Sequence, residues 1–339
     1  MKPVLCHIGL AKCGSTVLQN VWASSTNYSL YKCEELVQTV KEALIVNQHN
    51  LSAFQQTIAQ KKLGENAFDV ASGEYVVVSN EGFTNHFYAS TTDHAELSRA
   101  SLECYAALLK PCVDRVLLIV RNPFPLLISS YCQDIKQGAS FSFEDFISTR
   151  RDDMLANLDL ASVVRTFREL DAELAVLPLE ILNTNESFFW AEYERRTGFP
   201  RPNTKSLTSD PIGANITRRE TIPLHRQLNR IMSELERVVA SNDFPEEKED
   251  FQRALTFSRV WSVRRALSVA NVEQLSRLTT LVGLQQPQSK KTIFEFDAEL
   301  IDILRERFML PLENPSMFPY RDILETYEAS LDAGGIEIS

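Results

Sequence analysis

Glycine is scarce in this chain: 11 of 339 residues, roughly 3% where a globular protein carries about 7%. That excludes a linker-rich or collagen-like polypeptide and makes each glycine more informative. No apolar run approaches the roughly 20 residues of a membrane span. The opening stretch, Met1 to Thr16, lacks the apolar core and small-residue cleavage site of a secretory leader. The six cysteines (Cys6, Cys13, Cys33, Cys104, Cys112 and Cys132) show no Cys-x2-Cys or Cys/His metal spacing, and none lies beyond 132. They are expected to be reduced thiols of a cytoplasmic protein. The glycosylation sequons at Asn27, Asn50, Asn185 and Asn215 are then chance matches. Repeats and low-complexity tracts are missing as well. So is an excess of positive charge: the net charge is -10, and no nucleic-acid or membrane partner is expected. The first 150 residues carry 12 Lys and Arg against 14 Asp and Glu, and the remainder 23 against 31. The acidity therefore sits in the second part, and the first is neutral enough to hold a local anion site.

What is present is an ordinary globular composition, 44% hydrophobic and 24% charged. Apolar, strand-length runs occur at Pro3 to Leu10, Tyr75 to Ser79, Arg115 to Val120 and Leu174 to Glu180. Continuous apolar strands mark a parallel sheet covered on both faces. Between them lie segments of helical periodicity: Val17 to Ala23, 33–63, His94 to Leu109, Pro123 towards Gln137, from Phe143, and Glu186 to Thr197. The alternation predicts an α/β fold with a parallel sheet flanked by helices. Beyond Pro202 the pattern turns helical at His225 to Val239, Phe251 to Leu267, Val272 to Val282 and Ala298 to Phe308, and Thr292 to Phe296 is the one strand candidate there. The expected organisation is a core over 1–200, with a helical insertion at 27–72, and a helical region over 201–339. Arg201 to Gly213 is the expected linker or mobile loop, and the end from Asp332 is expected to fray.

Two motifs carry chemistry. Gly9-x4-Gly14-Ser15-Thr16 sits between a strand and a helix and is close to a Walker A loop, except that Ser15 stands where that loop has its lysine and Lys12 lies inside the loop. Backbone N–H groups and a helix N-terminus still form an anion cradle there. No strand ends in the aspartate a Walker-type Mg²⁺ site needs; the later strand ends read Asn80-Glu81 and Arg121-Asn122. The second motif is Arg121-Asn122-Pro123 with Ser129 eight residues on, about two helical turns. Asn122 is a plausible cap and Pro123 suits the first helical position. Arginine and serine together suit a phosphate. Alone, this motif is often only a capping turn; beside the first it reads as a second phosphate contact.

The two segments together resemble the PAPS-dependent sulfotransferases. His7 to Thr16 looks like that family's 5′-phosphosulfate loop, with Lys12 two residues before the glycine. Val120 to Tyr131 looks like its 3′-phosphate element, and Leu177 to Glu180 resembles a loosely defined strand that follows. The resemblance covers roughly 1–200 and departs from common members at Ala11 and Cys13. It implies a P-loop, nucleotide-kinase-like sheet, PAPS as donor with PAP as product, no required metal, and transfer of a sulfuryl group to a hydroxyl or amine. Lys12 would neutralise charge on the leaving oxygen. Lys12, Cys13, Gly14, Ser15 and Thr16 would hold the 5′-phosphosulfate, Arg121 and Ser129 the 3′-phosphate, and Arg218 and Arg219 would close over the donor.

An alcohol acceptor needs a base. Glu81 follows the strand ending at Ser79, and the pattern from Ser79 to Gly82 resembles the glutamate-using branch seen among glycan and bacterial enzymes. His86 and His94 are fallback bases, and Lys136 could meet an anionic acceptor. Phe83, Phe87, Tyr88, Tyr131 and Phe141 are expected mainly as core. Arg264, Arg265, Lys290 and Lys291 are expected to be solvated. The glutamate pattern implies a saccharide or small-molecule acceptor. Two alternatives stay open: a P-loop kinase or NTPase with a displaced lysine, and a non-catalytic PAP-binding module.

Overall fold

Strand β1, Val4–Gly9, is buried along its whole length and occupies the centre of a five-stranded sheet. Around it stand β2 (Tyr28–Tyr31), β3 (Tyr75–Ser79), β4 (Arg115–Val120) and β5 (Glu173–Pro178), in the order β2-β3-β1-β4-β5, and every pairing is parallel. The computed structural model describes residues 2–10, 12–47, 50–59, 68, 72–84, 94–168, 173–203, 221–240, 260–267, 269–284 and 292–338. The interiors of β3 and β4 are buried too, which explains their unbroken apolar composition. The α/β fold with a helix-flanked parallel sheet is therefore the observed one.

The helices in chain order are α1 (Ser15–Ser24), α2 (Glu34–Val46), α3 (Leu51–Ala59), α4 (His94–Leu109), α5 (Pro123–Lys136), α6 (Phe143–Thr149), α7 (Arg151–Asn157) and α8 (Leu160–Arg168). They continue with α9 (Leu179–Thr184), α10 (Glu186–Thr197), α11 (Ile222–Ala240), α12 (260–267), α13 (Val272–Leu281), α14 (Ala298–Leu304) and α15 (Arg321–Asp332). Asn122 caps α5 as expected, its Oδ1 accepting from the Phe124 amide at 3.1 Å. Gly198, left-handed at φ 73°, ends α10.

Several boundaries differ from the sequence reading. Within 33–63 the described residues form two helices. Asn47 folds back on the Ala43 carbonyl (2.8 Å) and Asn50 accepts from the Ala53 amide (3.0 Å), so one asparagine closes α2 and the other caps α3. Residues 60–63 lie outside the described part. Inside the expected helical insertion at 27–72, Tyr28–Tyr31 forms the edge strand β2, four residues whose pairing with β3 supplies what their mixed polarity does not signal. Strand β5 stops at Pro178, whose extended backbone is the N-cap of α9, so Leu179 and Glu180 are helical. Helix α14 passes into a π-turn at Arg305–Met309. The end of the chain does not simply fray: β7 (Gly335–Ile338) pairs with β6 (Thr292–Glu295), and the Phe296 amide donates to the Gly334 carbonyl at 3.0 Å. The linker expected over Arg201 to Gly213 is described only as far as Asn203.

The chain gathers into two compact units. One comprises Met1–Leu126, Arg150–Pro211 and Glu295–Ile336, and holds the five-stranded sheet. The other comprises Leu127–Thr149, Ile212–Phe294 and Glu337–Ser339. In the second, Leu224, Val263 and Leu267 form a small core, and Asn229 on α11 donates to the Ile135 and Ala139 carbonyls at 2.7 and 2.8 Å. Among the described residues no helix is long and apolar enough to cross a membrane.

Candidate functional site

The loops that follow β3, β1 and β4 leave the carboxyl ends of three neighbouring strands, where open α/β sheets bind ligands. The loop after β1 is a tight turn in which the Cys13 amide donates to the Leu10 carbonyl at 3.1 Å. Lys12 and Gly14 are both left-handed, at φ 69° and 77°. At Gly14 a Cβ would stand 2.6 Å from Leu179 Cδ1, and at Gly9 one would stand 2.4 Å from Ser15 Oγ. Both glycines are thus required by backbone shape and close approach. Gly14 is the N-cap of α1 and has no side chain with which to take up the leading amides of that helix. Thr16 is exposed and Lys12 half-buried, whereas Ser15 and Cys13 are buried and face inward.

Arg121, at the end of β4, donates from Nη1 to the Lys12 carbonyl at 3.0 Å. The turn it begins is held by Glu180, whose Oε1 accepts from the Asn122 amide at 3.0 Å and whose Oε2 accepts from the Tyr327 hydroxyl. Asn122 Nδ2 in turn donates to Ser330 Oγ on α15, at 3.1 Å. On the other side of β1, Glu81 opens a short 3-10 turn in which the Gly82 amide donates to Asn80 Oδ1 (2.7 Å) and the Thr84 amide to the Glu81 carbonyl (3.2 Å). The Thr84 hydroxyl donates to the Gly9 carbonyl at 2.6 Å, which ties this turn to the start of the glycine loop.

Electrostatics agree with that gathering. Burial pushes the Cys13 thiol far above its ordinary range; the Arg121 charge opposes this, and the Glu180 and Glu81 carboxylates add to it. Cys13 is consequently an inward-facing thiol and not an accessible one. Beneath the loop, His7 is 1% exposed and burial lowers its pKa to about 3. Its Nδ1 lies 2.7 Å from Ser79 Oγ, which accepts from Gln19 Nε2 at 3.0 Å.

Lys12, Glu81, Arg121 and the loop residues Cys13 to Thr16 thus belong to one unit and one edge of its sheet. Ser129 is half-buried on the part of α5 that belongs to the other unit. Arg218, Arg219 and His86 lie outside the described residues, as do Phe87, Tyr88, Lys290 and Lys291, and of His94 only the backbone is described. Lys136 is half-buried in the last turn of α5, and Arg264 and Arg265 are exposed on α12. Phe83 is buried against Tyr105, and Tyr131 is buried among Phe141, Phe143, Phe146 and Phe294, so both serve as core. Among the described residues no group of three or more His, Cys, Asp or Glu is placed to hold a metal ion.

Sequence reasoning missed Thr84, Gln19, Glu180 and Tyr327 as parts of this edge. Glu180 was legible only as the end of a strand, and Tyr327 lies 147 residues further on. One local signal existed: His7 is the single imidazole in an otherwise apolar strand.

No protein-family model matches the chain, and no curated protein matches it. Among solved structures it is similar to a sulfotransferase from Alicyclobacillus acidocaldarius, at 11% identity and a TM-score of 0.42, over 82% of this chain and 100% of that one.

Proposed function

We propose that the chain is a PAPS-dependent sulfotransferase, moving a sulfuryl group to a hydroxyl or amine of a saccharide or small-molecule acceptor and releasing PAP. The observation that carries this reading is the Arg121–Lys12 contact: a strand-end arginine is bonded to the backbone of a glycine loop whose lysine lies inside the turn. The loop fits an anion. It leads into a helix with no capping side chain, and Ser15 Oγ is buried without a hydrogen-bond partner among the described residues.

In this reading the amides of 14–16 and the Thr16 hydroxyl bind the 5′-phosphosulfate, and Arg121 and Ser129 bind the 3′-phosphate. Glu81 takes the acceptor proton as the acceptor oxygen bonds to sulfur and the bond from sulfur to the departing PAP oxygen breaks. Lys12 neutralises the charge that develops on that oxygen. Arg218 and Arg219 are assigned to closing over the donor, and the helical C-terminal region to the acceptor side. The protein is read as cytoplasmic.

The test is calorimetry of PAP against ADP and ATP, with and without Mg²⁺. Tight, metal-independent binding of PAP is expected. A preference for ATP with Mg²⁺ would replace this reading with a P-loop kinase or NTPase. PAP binding without turnover across an acceptor screen would make the chain a nucleotide-binding module.

A further inference from the structure

We infer that His7 is a positioning residue of the glycine loop: held as its Nε2–H tautomer by Ser79 and Gln19, it donates to the Ser15 hydroxyl when the loop takes an anion. This rests on the reading of that loop as a phosphate cradle.

The tautomer follows from proton counting. A hydroxyl has one proton and two lone pairs. Ser79 Oγ accepts from Gln19 Nε2 at 3.0 Å and stands 2.7 Å from His7 Nδ1. Among the described residues Nδ1 is the acceptor available to the Ser79 proton; the tautomer that uses it has Nδ1 unprotonated and the ring hydrogen on Nε2, whereas an Nδ1–H would leave the Ser79 proton without an acceptor. With its pKa at about 3 the ring stays neutral, so it offers a donor without adding charge.

That donor has a destination. His7 Nε2 and Ser15 Oγ are both buried, and neither has a hydrogen-bond partner among the described residues. Both lie near one point, the missing side chain of Gly9: a Cβ there would lie 2.4 Å from Ser15 Oγ, 3.4 Å from His7 Cε1 and 3.5 Å from His7 Nε2. A glycine is what lets the two approach. A buried donor and a buried acceptor each left unpaired are costly, and in the inferred state a shift of the loop pairs them. The loop holds two left-handed residues, Lys12 and Gly14, in its turn. An anion drawing on the amides of 14–16 supplies the pull. In the resulting chain Nε2–H donates to Ser15 Oγ, and the Ser15 proton is free to donate to the anion. Ser79 ends β3 two residues before Glu81, so the same hydrogen bonds tie the floor of the loop to the strand that leads to the proposed base.

The experiment is ¹⁵N NMR of the His7 imidazole in the full chain, free, with saturating PAP, and with saturating inorganic pyrophosphate. A protonated Nε2 is expected throughout, with its resonance moving on saturation and remaining unmoved in Ser15→Ala. His7→Phe is expected to weaken binding about tenfold, the worth of one hydrogen bond. H7Q, which keeps a donor near the Nε2 position, is expected to restore it. A movement with pyrophosphate but no binding of PAP would uphold the relay and overturn the PAPS reading. PAP binding with an unmoved Nε2, or a protonated Nδ1, would overturn the relay and leave that reading standing. If neither anion binds, both fall.

Discussion

The guanidinium of Arg121 donates to the main-chain carbonyl of Lys12 at 3.0 Å, joining the end of β4 to the turn that follows β1. The contact spans 109 residues of sequence and holds a non-glycine residue whose backbone is left-handed. Arg121→Ala is expected to weaken PAP binding by about 2–4 kcal/mol, the range for truncating a charged, hydrogen-bonded partner. Arg121→Lys keeps the charge but loses the planar fork, and is expected to recover only part of that loss. Calorimetry on the three proteins checks both.

The proposed transfer gives Lys12 and Glu81 separable roles. Lys12→Ala and Glu81→Ala are each expected to abolish turnover, and Glu81→Ala to leave PAP affinity largely intact. Steady-state kinetics beside PAP titration tests this. Near-normal turnover in Glu81→Ala would remove Glu81 as the base.

Gly14 is both left-handed, at φ 77°, and packed under Leu179, with a Cβ position 2.6 Å from Cδ1. Gly14→Ala is expected to cost about 1–3 kcal/mol from backbone strain alone and to lower Tm. If Leu179→Ala recovers stability in the double variant, the clash contributes as well as the dihedral.

The Glu180 carboxylate is shared between the Asn122 amide and the Tyr327 hydroxyl, and Tyr327 is fully buried. Tyr327→Phe removes one donor from that carboxylate and is expected to cost about 1–3 kcal/mol. A double-mutant cycle with Glu180→Gln, read by denaturant unfolding, is expected to show coupling. Additive losses would mean that the hydroxyl and the carboxylate act independently.

Acid stability has a readable sign. Burial lowers the pKa of His7 to about 3, and that of His225 to about 4 with help from the Lys136 and Arg264 charges. An unfolded imidazole titrates near 6.5. Below that value the unfolded chain takes up protons the folded chain refuses, so stability falls as pH drops from about 6.5 towards 3–4. Glu192 acts lower down. Its hydrogen bonds to Arg195 first, then to Tyr320 and Arg196, bring its pKa from 4.5 to about 2, so the stability it adds is lost as pH falls through that interval. Unfolding curves against pH should show a shallower slope between 6.5 and 4 for His7→Phe, and a flatter lower limb for Glu192→Gln.

How much of this was legible in the sequence depends on the range of the interaction. Apolar strands such as Arg115 to Val120 and the α10 helix from Glu186 to its glycine stop were readable because local periodicity and chain punctuation specify them. Tyr28–Tyr31 and Gly335–Ile338 were not, since a four-residue strand is stabilised by its partner and not by its own residues.

The same division runs through the site. The sequence by itself determined the composition of the glycine loop, the arginine that ends β4 and the glutamate that follows β3, because a turn needing left-handed backbone and strand ends flanked by apolar runs are local features. Only the tertiary structure decided that these three strands are neighbours in the sheet. It alone decided that Arg121 grips the Lys12 carbonyl, that Thr84 holds Gly9, and that Glu180 is held by a tyrosine from α15. Those contacts join residues 75 to 147 positions apart. Each depends on burial and on the direction of single polar atoms, which are set by packing between elements and carry no periodic signature along the chain.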